Sequence, residues 1–280
     1  MKRILITGAN SYIGTSFEKW LAQWPDDYLV DTLDMREESW HSKDFSPYDV
    51  VFHVAGIAHV KETKKNKEMY YEVNRDLAFK TAKKAKYEGV KQFIFLSSMS
   101  VYGISRGNID NDTLLSPKTH YGNSKLQAEE LLNKLGDDLF KIAIVRPPMV
   151  YGKGSRGNYQ KLSKIVLKVP IFPNIKNKRS MIYIYNLCQF IKLNLDYCQY
   201  GVFCPQNKEY VITSEMVKSI CKNHNKRILL TRFFNPVINN LRFGLFDKIF
   251  GDLVYCKNLS QNVEEYCVFD FEHSIVETEN

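Results

Sequence analysis

Along the first half of the chain, segments with the apolar pattern of a β-strand alternate with segments that have the apolar spacing of a helix. Short apolar runs rich in β-branched residues are typical of buried strands, and they read KRILITG, YLVDTLD, DVVFHVAG, KQFIFLS and KIAIVRP. Between them, apolar residues recur at helical spacing from Tyr12 to Gln23, from Tyr70 to Glu88 and from Tyr121 to Leu135. Strands that alternate with helices predict a parallel sheet covered on both faces, so we expect a doubly wound α/β fold of the Rossmann type.

The pattern changes after about residue 150, where strands and helices become shorter and prolines interrupt them. We predict a dinucleotide-binding domain over residues 1–150 and a smaller α/β substrate-binding region over 151–280, interleaved with the first. The acidic tail from Phe269 onward is expected to fray.

Residues 228–254 combine apolar positions at a spacing of four with scattered basic residues. This spacing predicts a helix that packs on the substrate region. A basic amphipathic helix is the alternative, and it would give residues 236–254 a peripheral contact with a membrane surface. The apolar positions that define the spacing are Val237, Leu241, Leu245, Ile249 and Leu253.

Composition narrows the function classes. The 280 residues are 44% hydrophobic and 25% charged, and no apolar run is long enough to cross a bilayer. The net charge of +8 is scattered and accompanies no recognised nucleic-acid-binding module, so we expect an anionic substrate and no nucleic-acid partner. Six cysteines without metal-ligand spacing indicate reduced thiols in a cytoplasmic protein and no metal site.

Glycines mark the point where the first strand ends, in the segment TGANSYIG from Thr7 to Gly14. Gly8 permits a sharp turn, and Gly14 permits close packing of the following helix on the strand. The helix start then directs N–H groups and a positive dipole end at a bound pyrophosphate. Ser11 replaces the expected middle glycine, and its hydroxyl can donate to a phosphate. The predicted cofactor contacts here are Gly8, Asn10, Ser11, Tyr12, Ile13 and Gly14.

Asp34 ends the second strand, twenty residues after Gly14. A carboxylate at this place accepts hydrogen bonds from an adenosine ribose, which favours NAD over NADP. Arg36 follows two residues later, and its guanidinium could hold a 2′-phosphate. The predicted cofactor is therefore NAD or NADP, with NAD preferred.

Tyr121 and Lys125 are four residues apart, which places both on one face of the predicted helix. We expect the ammonium of Lys125 to lower the pKa of the phenol, so that Tyr121 exchanges a proton near neutral pH. Ser98 follows the strand FIFLS, at the sheet edge where ligands bind, and can hold the same substrate oxygen. Ser98, Tyr121 and Lys125 are the predicted catalytic residues.

The segments TGANSYIG, HVAG, FIFLSSMSVYG, YGNSK and RPPMVYG, in this order, resemble the extended short-chain dehydrogenase/reductases. These are the NAD-dependent epimerase/dehydratase enzymes that act on nucleotide sugars. The resemblance implies a catalytic triad of Ser98, Tyr121 and Lys125, in which Lys125 also binds the nicotinamide ribose. It further implies a UDP-sugar substrate and a homodimer. The additional cofactor contacts that it implies are Ala55, Gly56, Asn74 and Pro147.

The same resemblance implies substrate contacts at Met99, Met149 and Arg179. Arg179 begins RSMIYIYNL, a stretch similar to the family segment whose arginine holds the nucleotide diphosphate. Met149 replaces an asparagine of the family pattern, which leaves one substrate contact open. The other departures from the pattern are His120, Tyr183, Tyr185 and Asn186.

The segment Ser98-Met99-Ser100 contains no carboxylate, which argues against a dehydratase. The phrases HVAGIAHVKET and KRSMIYIYNL resemble bacterial enzymes of capsule and O-antigen synthesis. We therefore expect NAD(P)H-dependent reduction of the C4 ketone of a UDP-2-acetamido-2,6-dideoxy-hexulose, with His59 and Lys61 near the sugar. A nucleotide-sugar C4-epimerase with tightly bound NAD is the alternative. A non-catalytic dinucleotide-binding sensor is a further one.

Overall fold

Six parallel strands form the central sheet, in a computed structural model that describes residues 1–58, 60–63, 65–233, 235–236, 245–260 and 265–280. The chain leaves the first strand for one side of the sheet and then crosses to the other side. Ligands bind in such sheets at the carboxyl edge beside this reversal. In spatial order the strands are β2 (Tyr28–Leu33), β1 (Lys2–Thr7), β3 (Val50–His53), β4 (Gln92–Leu96), β6 (Lys141–Val145) and β10 (Gly201–Phe203).

Alternate strand residues enter two separate apolar cores. Ile4 and Ile6 share one core with α1 (Tyr12–Leu21) and α6 (Ile184–Asp196), whereas Leu5 shares the other core with α3 (Leu77–Tyr87) and α4 (His120–Asn133). Because both faces of the sheet are covered, its strands appear in the sequence as continuous apolar runs. The doubly wound α/β fold predicted from these runs is confirmed.

Shorter elements surround the sheet. Three two-stranded parallel pairs are β5 (Gly107–Ile109) with β12 (Leu253–Tyr255), β7 (Met149–Tyr151) with β9 (Met181–Tyr183), and β8 (Ile171–Pro173) with β11 (Leu229–Thr231). A π-helical turn, Glu72–Asp76, joins α2 (Lys67–Tyr71) to α3. Further helices among the described residues are α5 (Asn158–Val166), α7 (Thr213–Asn223), α8 (Leu245–Phe250) and α9 (Phe271–Glu279), and 3₁₀ turns cover Glu38–His41, Met99–Tyr102 and Lys257–Ser260.

The single helix predicted for residues 228–254 is wrong. Among its described residues, this segment contains β11, α8 and β12, and residues 234 and 237–244 lie outside the described residues. The helix α8 ends where Arg179 donates hydrogen bonds to the carbonyl oxygens of Asp247 and Gly251. The chain then continues as a strand in which Leu253 is paired with Gly107. These tertiary hydrogen bonds override the helical spacing of the apolar residues.

Part of the surface predicted for a membrane contact of residues 236–254 is buried within the protein. Ile249 and Phe250 pack against the core that contains Ile4 and Ile6, so these two side chains do not face a lipid surface. A contact through residues 237–244 stays a prediction. Among the described residues, no helix is both long enough and apolar enough to span a bilayer.

The C-terminal tail is a docked helix, so the expected fraying is wrong. The side chain of Asp270 accepts a hydrogen bond from the His273 amide and caps the start of α9. Ile275 is fully buried. The carboxylate of Glu279 accepts hydrogen bonds from Tyr159 at 2.6 Å and from Ser163 at 3.1 Å. These contacts fix the end of the chain on α5.

Candidate active site

The carboxyl ends of neighbouring strands carry most of the predicted site residues. Gly8 follows β1, Ala55 follows β3, Ser98 follows β4 and Pro147 follows β6. Because these strands are parallel, the four segments meet at one edge of the sheet. Two close contacts show that these segments are adjacent. The Met99 amide donates to the Pro147 carbonyl at 3.0 Å, and a Cβ atom at Gly8 would lie 2.7 Å from the Ala55 nitrogen.

The turn after β1 has the shape that its glycines predict. Gly8 has a φ of +109°, and Asn10 has a φ of +62°, in the left-handed region. A Cβ atom at Gly14 would lie 2.6 Å from the Ser11 hydroxyl oxygen and 3.2 Å from the Ile6 side chain. Because Gly8 and Gly14 have no side chain, the backbone is uncovered where the turn meets the amino end of α1. This cradle fits the pyrophosphate of a dinucleotide.

Ser11 is the N-cap of α1, which explains why a serine can replace the expected middle glycine. Its hydroxyl oxygen accepts a hydrogen bond from the Gly14 amide at 3.2 Å. Its hydroxyl hydrogen can still donate towards a bound phosphate. Tyr12 begins the helix, but its side chain points at Gly152, so only its backbone borders the turn. Ile13 packs against the core that contains Ile4 and Ile6.

Asp34 and Arg36 are paired with each other. The Arg36 Nε donates to the two carboxylate oxygens of Asp34 at 3.0 and 3.1 Å, and the Arg36 amide donates to the same carboxylate at 3.0 Å. These hydrogen bonds lower the pKa of Asp34 to about 2, so its carboxylate is charged at neutral pH. Asp34, the residue predicted to favour NAD, is therefore ion-paired with Arg36, the residue whose guanidinium could hold the 2′-phosphate of NADP.

Ser98 and Tyr121 come together at the end of β4. Ser98 is the N-cap of the 3₁₀ turn Met99–Tyr102, and its hydroxyl oxygen accepts from the Ser100 amide at 3.1 Å. Tyr121 lies in the first turn of α4. Burial raises the pKa of the Tyr121 phenol, and the neighbouring Ser98 hydroxyl opposes this shift. The serine predicted from one strand end thus lies beside the tyrosine predicted from a helix 23 residues later.

Lys125 lies on α4, one turn after Tyr121, and only 4% of it is exposed. Its ammonium donates to the Leu96 carbonyl at 2.8 Å and lies 4.6 Å from the centre of the Phe95 ring. Burial lowers the pKa of Lys125 to about 8, with the nearby Glu129 acting in the opposite direction. The expectation that Lys125 lowers the phenol pKa is wrong for this structure. The ammonium is directed at the strand end, and burial dominates at Tyr121.

Asn74 lies in the π-helical turn and is fully buried. Its side chain exchanges two hydrogen bonds with the Ile57 backbone, at 2.8 and 3.2 Å, and donates to the Ser124 hydroxyl at 3.1 Å. A Cβ atom at Gly56 would lie 3.0 Å from the Asn74 amide oxygen and 3.3 Å from the Lys125 nitrogen. Asn74, Gly56 and Lys125 therefore form one cluster, at the kind of helical irregularity that is common in functional sites.

Arg179 and Met149, two of the predicted substrate contacts, lie beside each other. They line a small cavity together with Met181 and Met216. The Arg179 Nη1 donates to two backbone carbonyls, while its buried Nε has no hydrogen-bond partner among the described residues. Burial lowers the pKa of Arg179 to about 10. A guanidinium with an unused donor beside a cavity fits an anionic ligand.

Two carboxylates near the site were missed by the sequence analysis. Glu62 accepts hydrogen bonds from the first amides of α4, and Glu129 forms a buried ion pair with Arg146. Neither has a local motif, although Glu129 follows Lys125 at the same spacing of four. Of the residues expected near the sugar, His59 lies outside the described residues and Lys61 is exposed.

Comparisons with known proteins agree on one family. The model of the NAD-dependent epimerase/dehydratase family matches residues 4–212. A UDP-glucose 4-epimerase of Vibrio cholerae is 32% identical over 251 residues, which cover 78% of this chain and 75% of that protein. An N-acetyl-alpha-D-glucosaminyl-diphospho-ditrans,octacis-undecaprenol 4-epimerase of Escherichia coli O157:H7 is 27% identical over 273 residues, covering 89% and 81%.

Two further similarities bear on the reaction and on the fold. A UDP-2-acetamido-2,6-beta-L-arabino-hexul-4-ose reductase of Pseudomonas aeruginosa is 26% identical over 240 residues, which cover 82% of this chain and 59% of that protein. The structure of a UDP-glucuronic acid 4-epimerase of Bacillus cereus superimposes with a TM-score of 0.76 at 20% identity, over 98% of this chain and 96% of that one. This last likeness concerns the fold alone.

Proposed function

The chain belongs to the NAD-dependent epimerase/dehydratase family, and from that premise we propose that it is a 4-epimerase of a UDP-activated hexose. The observation that carries the proposal is the meeting of Ser98, Tyr121 and Lys125 at the carboxyl edge of the sheet. A phenol, a hydroxyl and an ammonium in one place suit reversible oxidation of a secondary alcohol. The nicotinamide dinucleotide, NAD or NADP, supplies the hydride acceptor and donor when bound.

The residues that would hold the cofactor surround the turn after β1. We assign the pyrophosphate to the bare turn at Gly8 and to the amino end of α1. We assign the adenosine ribose to Asp34, whose carboxylate is charged at neutral pH. Lys125 and Asn74 would border the nicotinamide ribose, beside Gly56. Ala55 and Pro147 complete the proposed lining.

Proton transfer is assigned to the tyrosine. In its ionised form, Tyr121 takes the proton of the sugar hydroxyl as C4 is oxidised, and the phenol formed in this way returns that proton when C4 is reduced. The Ser98 hydroxyl holds the same oxygen and keeps it in line with the phenol. Lys125 supplies positive charge from the next turn of the same helix. Arg179, with Met149 beside it, is assigned to the diphosphate side of the substrate.

Epimerisation is preferred to the reduction expected from the sequence. The V. cholerae 4-epimerase shares 32% identity over three quarters of both chains, whereas the hexulose reductase shares 26% and is covered over 59% of its length. Reduction of a UDP-2-acetamido-2,6-dideoxy-4-hexulose is the second candidate, because that reductase acts on a substrate of this class. Dehydration lacks support, because both carboxylates found near the site are already bound: Glu62 to two backbone amides and Glu129 to Arg146.

The place and assembly of the enzyme follow as proposals. We place it in the cytoplasm, as a homodimer. The E. coli relative acts on a lipid-linked sugar, which favours a position at the inner membrane face if the present substrate is lipid-linked too. Surface polysaccharide synthesis is the process that fits either substrate class.

One incubation separates the candidate reactions. The purified protein is mixed with UDP-glucose or UDP-N-acetylglucosamine without added reductant, and the sugars are separated by chromatography. In parallel, the 4-keto-6-deoxy sugar is added with NADH or NADPH, and the nicotinamide absorbance is followed. Interconversion of the UDP-sugars supports the epimerase, and stoichiometric loss of reduced cofactor supports the reductase. Tyr121→Phe is expected to slow either reaction by about 10²-fold or more while still binding cofactor. Full activity of this variant would contradict an enzymatic role for the site.

A further inference from the structure

The loop that follows β3 is bonded to the first turn of α4 through the carboxylate of Glu62. Its Oε1 accepts a hydrogen bond from the Tyr121 amide at 3.0 Å, and its Oε2 accepts from the His120 amide at 3.1 Å. The first amides of a helix have no partner within the helix, and a carboxylate is favoured there. Both oxygens of one side chain are therefore used on the backbone of the tyrosine and of the residue before it.

This carboxylate is additional to the ordinary cap of the helix. Thr119 is the N-cap, and its hydroxyl oxygen accepts from the Gly122 amide at 3.0 Å. Thr119 precedes the helix directly, whereas Glu62 comes from a loop 59 residues before Tyr121. Helix formation alone does not need so distant a partner. The contact instead fixes the start of α4 relative to the loop.

The same loop reaches Tyr121 by two other routes. Ile57 is bonded to Asn74, which donates to Ser124, and the Ser124 hydroxyl donates to the Tyr121 carbonyl at 2.9 Å. Tyr70 donates its hydroxyl to the Val60 carbonyl at 2.8 Å, and its ring meets the Tyr121 ring edge-on at 6.5 Å between centres. The amide, the carbonyl and the ring of Tyr121 are thus each tied to the segment that follows β3.

We propose that Glu62 is a positioning residue for Tyr121, holding the amide of this tyrosine so that its phenol stays beside Ser98. The proposal rests on the proposed function, in which the phenol transfers the proton. The phenolic oxygen stands at the far end of a long side chain, so a small rotation of the first helical turn displaces it. A misplacement of about 1 Å in a reacting group can cost about 10²-fold in rate.

Two substitutions at position 62 test this role. Glu62→Ala removes both acceptors, and we expect kcat to fall by about 10- to 100-fold while KM for the sugar changes less than about threefold. Glu62→Gln keeps one amide oxygen and can hold only one of the two backbone amides. We therefore expect its kcat to lie between those of Glu62→Ala and the unchanged enzyme. Cofactor affinity, measured by nicotinamide fluorescence, is expected to stay the same in both variants.

Glu68→Ala is the matched control, because Glu68 is 77% exposed and its side chain contacts Lys67 at 4.0 Å instead of α4. It should leave kcat unchanged. If Glu62→Ala lowers only the melting temperature, or if Glu62→Gln is no better than Glu62→Ala, the positioning role is overturned. If Glu62→Ala does not fold, the kcat of Glu62→Gln alone decides. A normal kcat overturns the positioning role, and a reduced kcat supports it.

Tyr121→Phe is measured in the same series to separate the two proposals. An inactive Tyr121→Phe with a normal Glu62→Ala overturns only the role of Glu62. A fully active Tyr121→Phe overturns the proposed function, and the role of Glu62 with it.

Discussion

Glu129 forms a two-pronged, buried ion pair with Arg146, one helical turn beyond Lys125. The Arg146 Nε donates to both carboxylate oxygens of Glu129 at 3.1 Å, and its Nη2 lies 2.5 Å from one of them. The Ser97 hydroxyl also donates to this carboxylate. Arg146 directly follows β6 and Ser97 directly follows β4. The pair therefore fastens α4 to the sheet, next to the residue that precedes Ser98.

Glu129→Gln is expected to destabilise the fold by about 3–5 kcal/mol, because it leaves the buried Arg146 guanidinium without a counter-charge. Unfolding in urea, monitored by tryptophan fluorescence, measures the loss. The double variant Glu129→Leu with Arg146→Met is the control, since removal of both charges should recover most of the stability. A cost below about 1 kcal/mol for Glu129→Gln would show that water reaches the pair.

Lys125 should make stability depend on pH in an unusual direction. Burial lowers its pKa from the ordinary value of 10.5 to about 8. The unfolded chain then binds more protons than the folded one between these two values, so stability rises with pH across this window. Below pH 8 the penalty is complete, and it amounts to about 3 kcal/mol.

Lys125→Met isolates this effect, because the variant has no charge to bury. At pH 7 the variant should be more stable than the unchanged protein, although it loses activity. The difference should shrink or change sign between pH 8 and 10.5, as measured by urea unfolding at closely spaced pH values. Tyr121 and the other titrating groups are common to both proteins and cancel. A difference that does not vary with pH in this window would contradict a lowered pKa at Lys125.

The glycine turn offers a third prediction, with a built-in control. Gly8→Ala places a Cβ atom 2.7 Å from the Ala55 backbone nitrogen, in addition to the strain of a φ of +109°. Gly89→Ala has comparable strain, at a φ of +84°, but nothing lies within 4 Å of its Cβ. We expect about 1–2 kcal/mol of destabilisation at Gly89 and about 3 kcal/mol at Gly8. Equal costs in thermal unfolding would show that the turn has room for a side chain.

The strands and the meeting of Ser98 with Tyr121 were predictable because their signals are local. An apolar run defines each strand, a spacing of four defines the pair Tyr121 and Lys125, and parallel topology brings the strand ends together. The N-cap role of Ser11 has an equally local signal, since Ser11 stands directly before the first helical residue, Tyr12. Contacts between residues that are close in the sequence can therefore largely be predicted from the pattern of residue types.

The features that were not predicted from the sequence depend instead on contacts between distant segments of the chain. Glu62 reaches α4 across 58 residues, and no periodicity marks it. The regular apolar spacing between residues 228 and 254 was overridden when Arg179 bonded the carbonyls that end α8. The direction of the Tyr121 pKa shift depends on burial, which the spacing of Tyr121 and Lys125 does not reveal. Local propensity decides such positions only where no tertiary contact competes.

We expect cofactor choice to depend on the pair formed by Asp34 and Arg36, so that single substitutions move it in opposite directions. Arg36→Ala leaves the Asp34 carboxylate without its cation, so repulsion of a 2′-phosphate grows and NADPH should bind about tenfold more weakly. Asp34→Ala frees the guanidinium, whose side chain is 80% exposed, to hold that phosphate. NADPH should then bind about tenfold more tightly, and NADH should lose its ribose contact.

Fluorescence titration of each variant with NADH and NADPH measures both affinities directly. Glu38→Ala is the control, because this carboxylate is 98% exposed and contacts His41. It should leave the ratio of the two affinities unchanged, which would exclude a general effect of surface charge on NADPH. The salt dependence adds a second criterion, since an interaction between exposed charges weakens as ionic strength rises. If Arg36→Ala and Asp34→Ala shift the ratio in the same direction, the two side chains do not act as opposed contacts for the adenosine ribose.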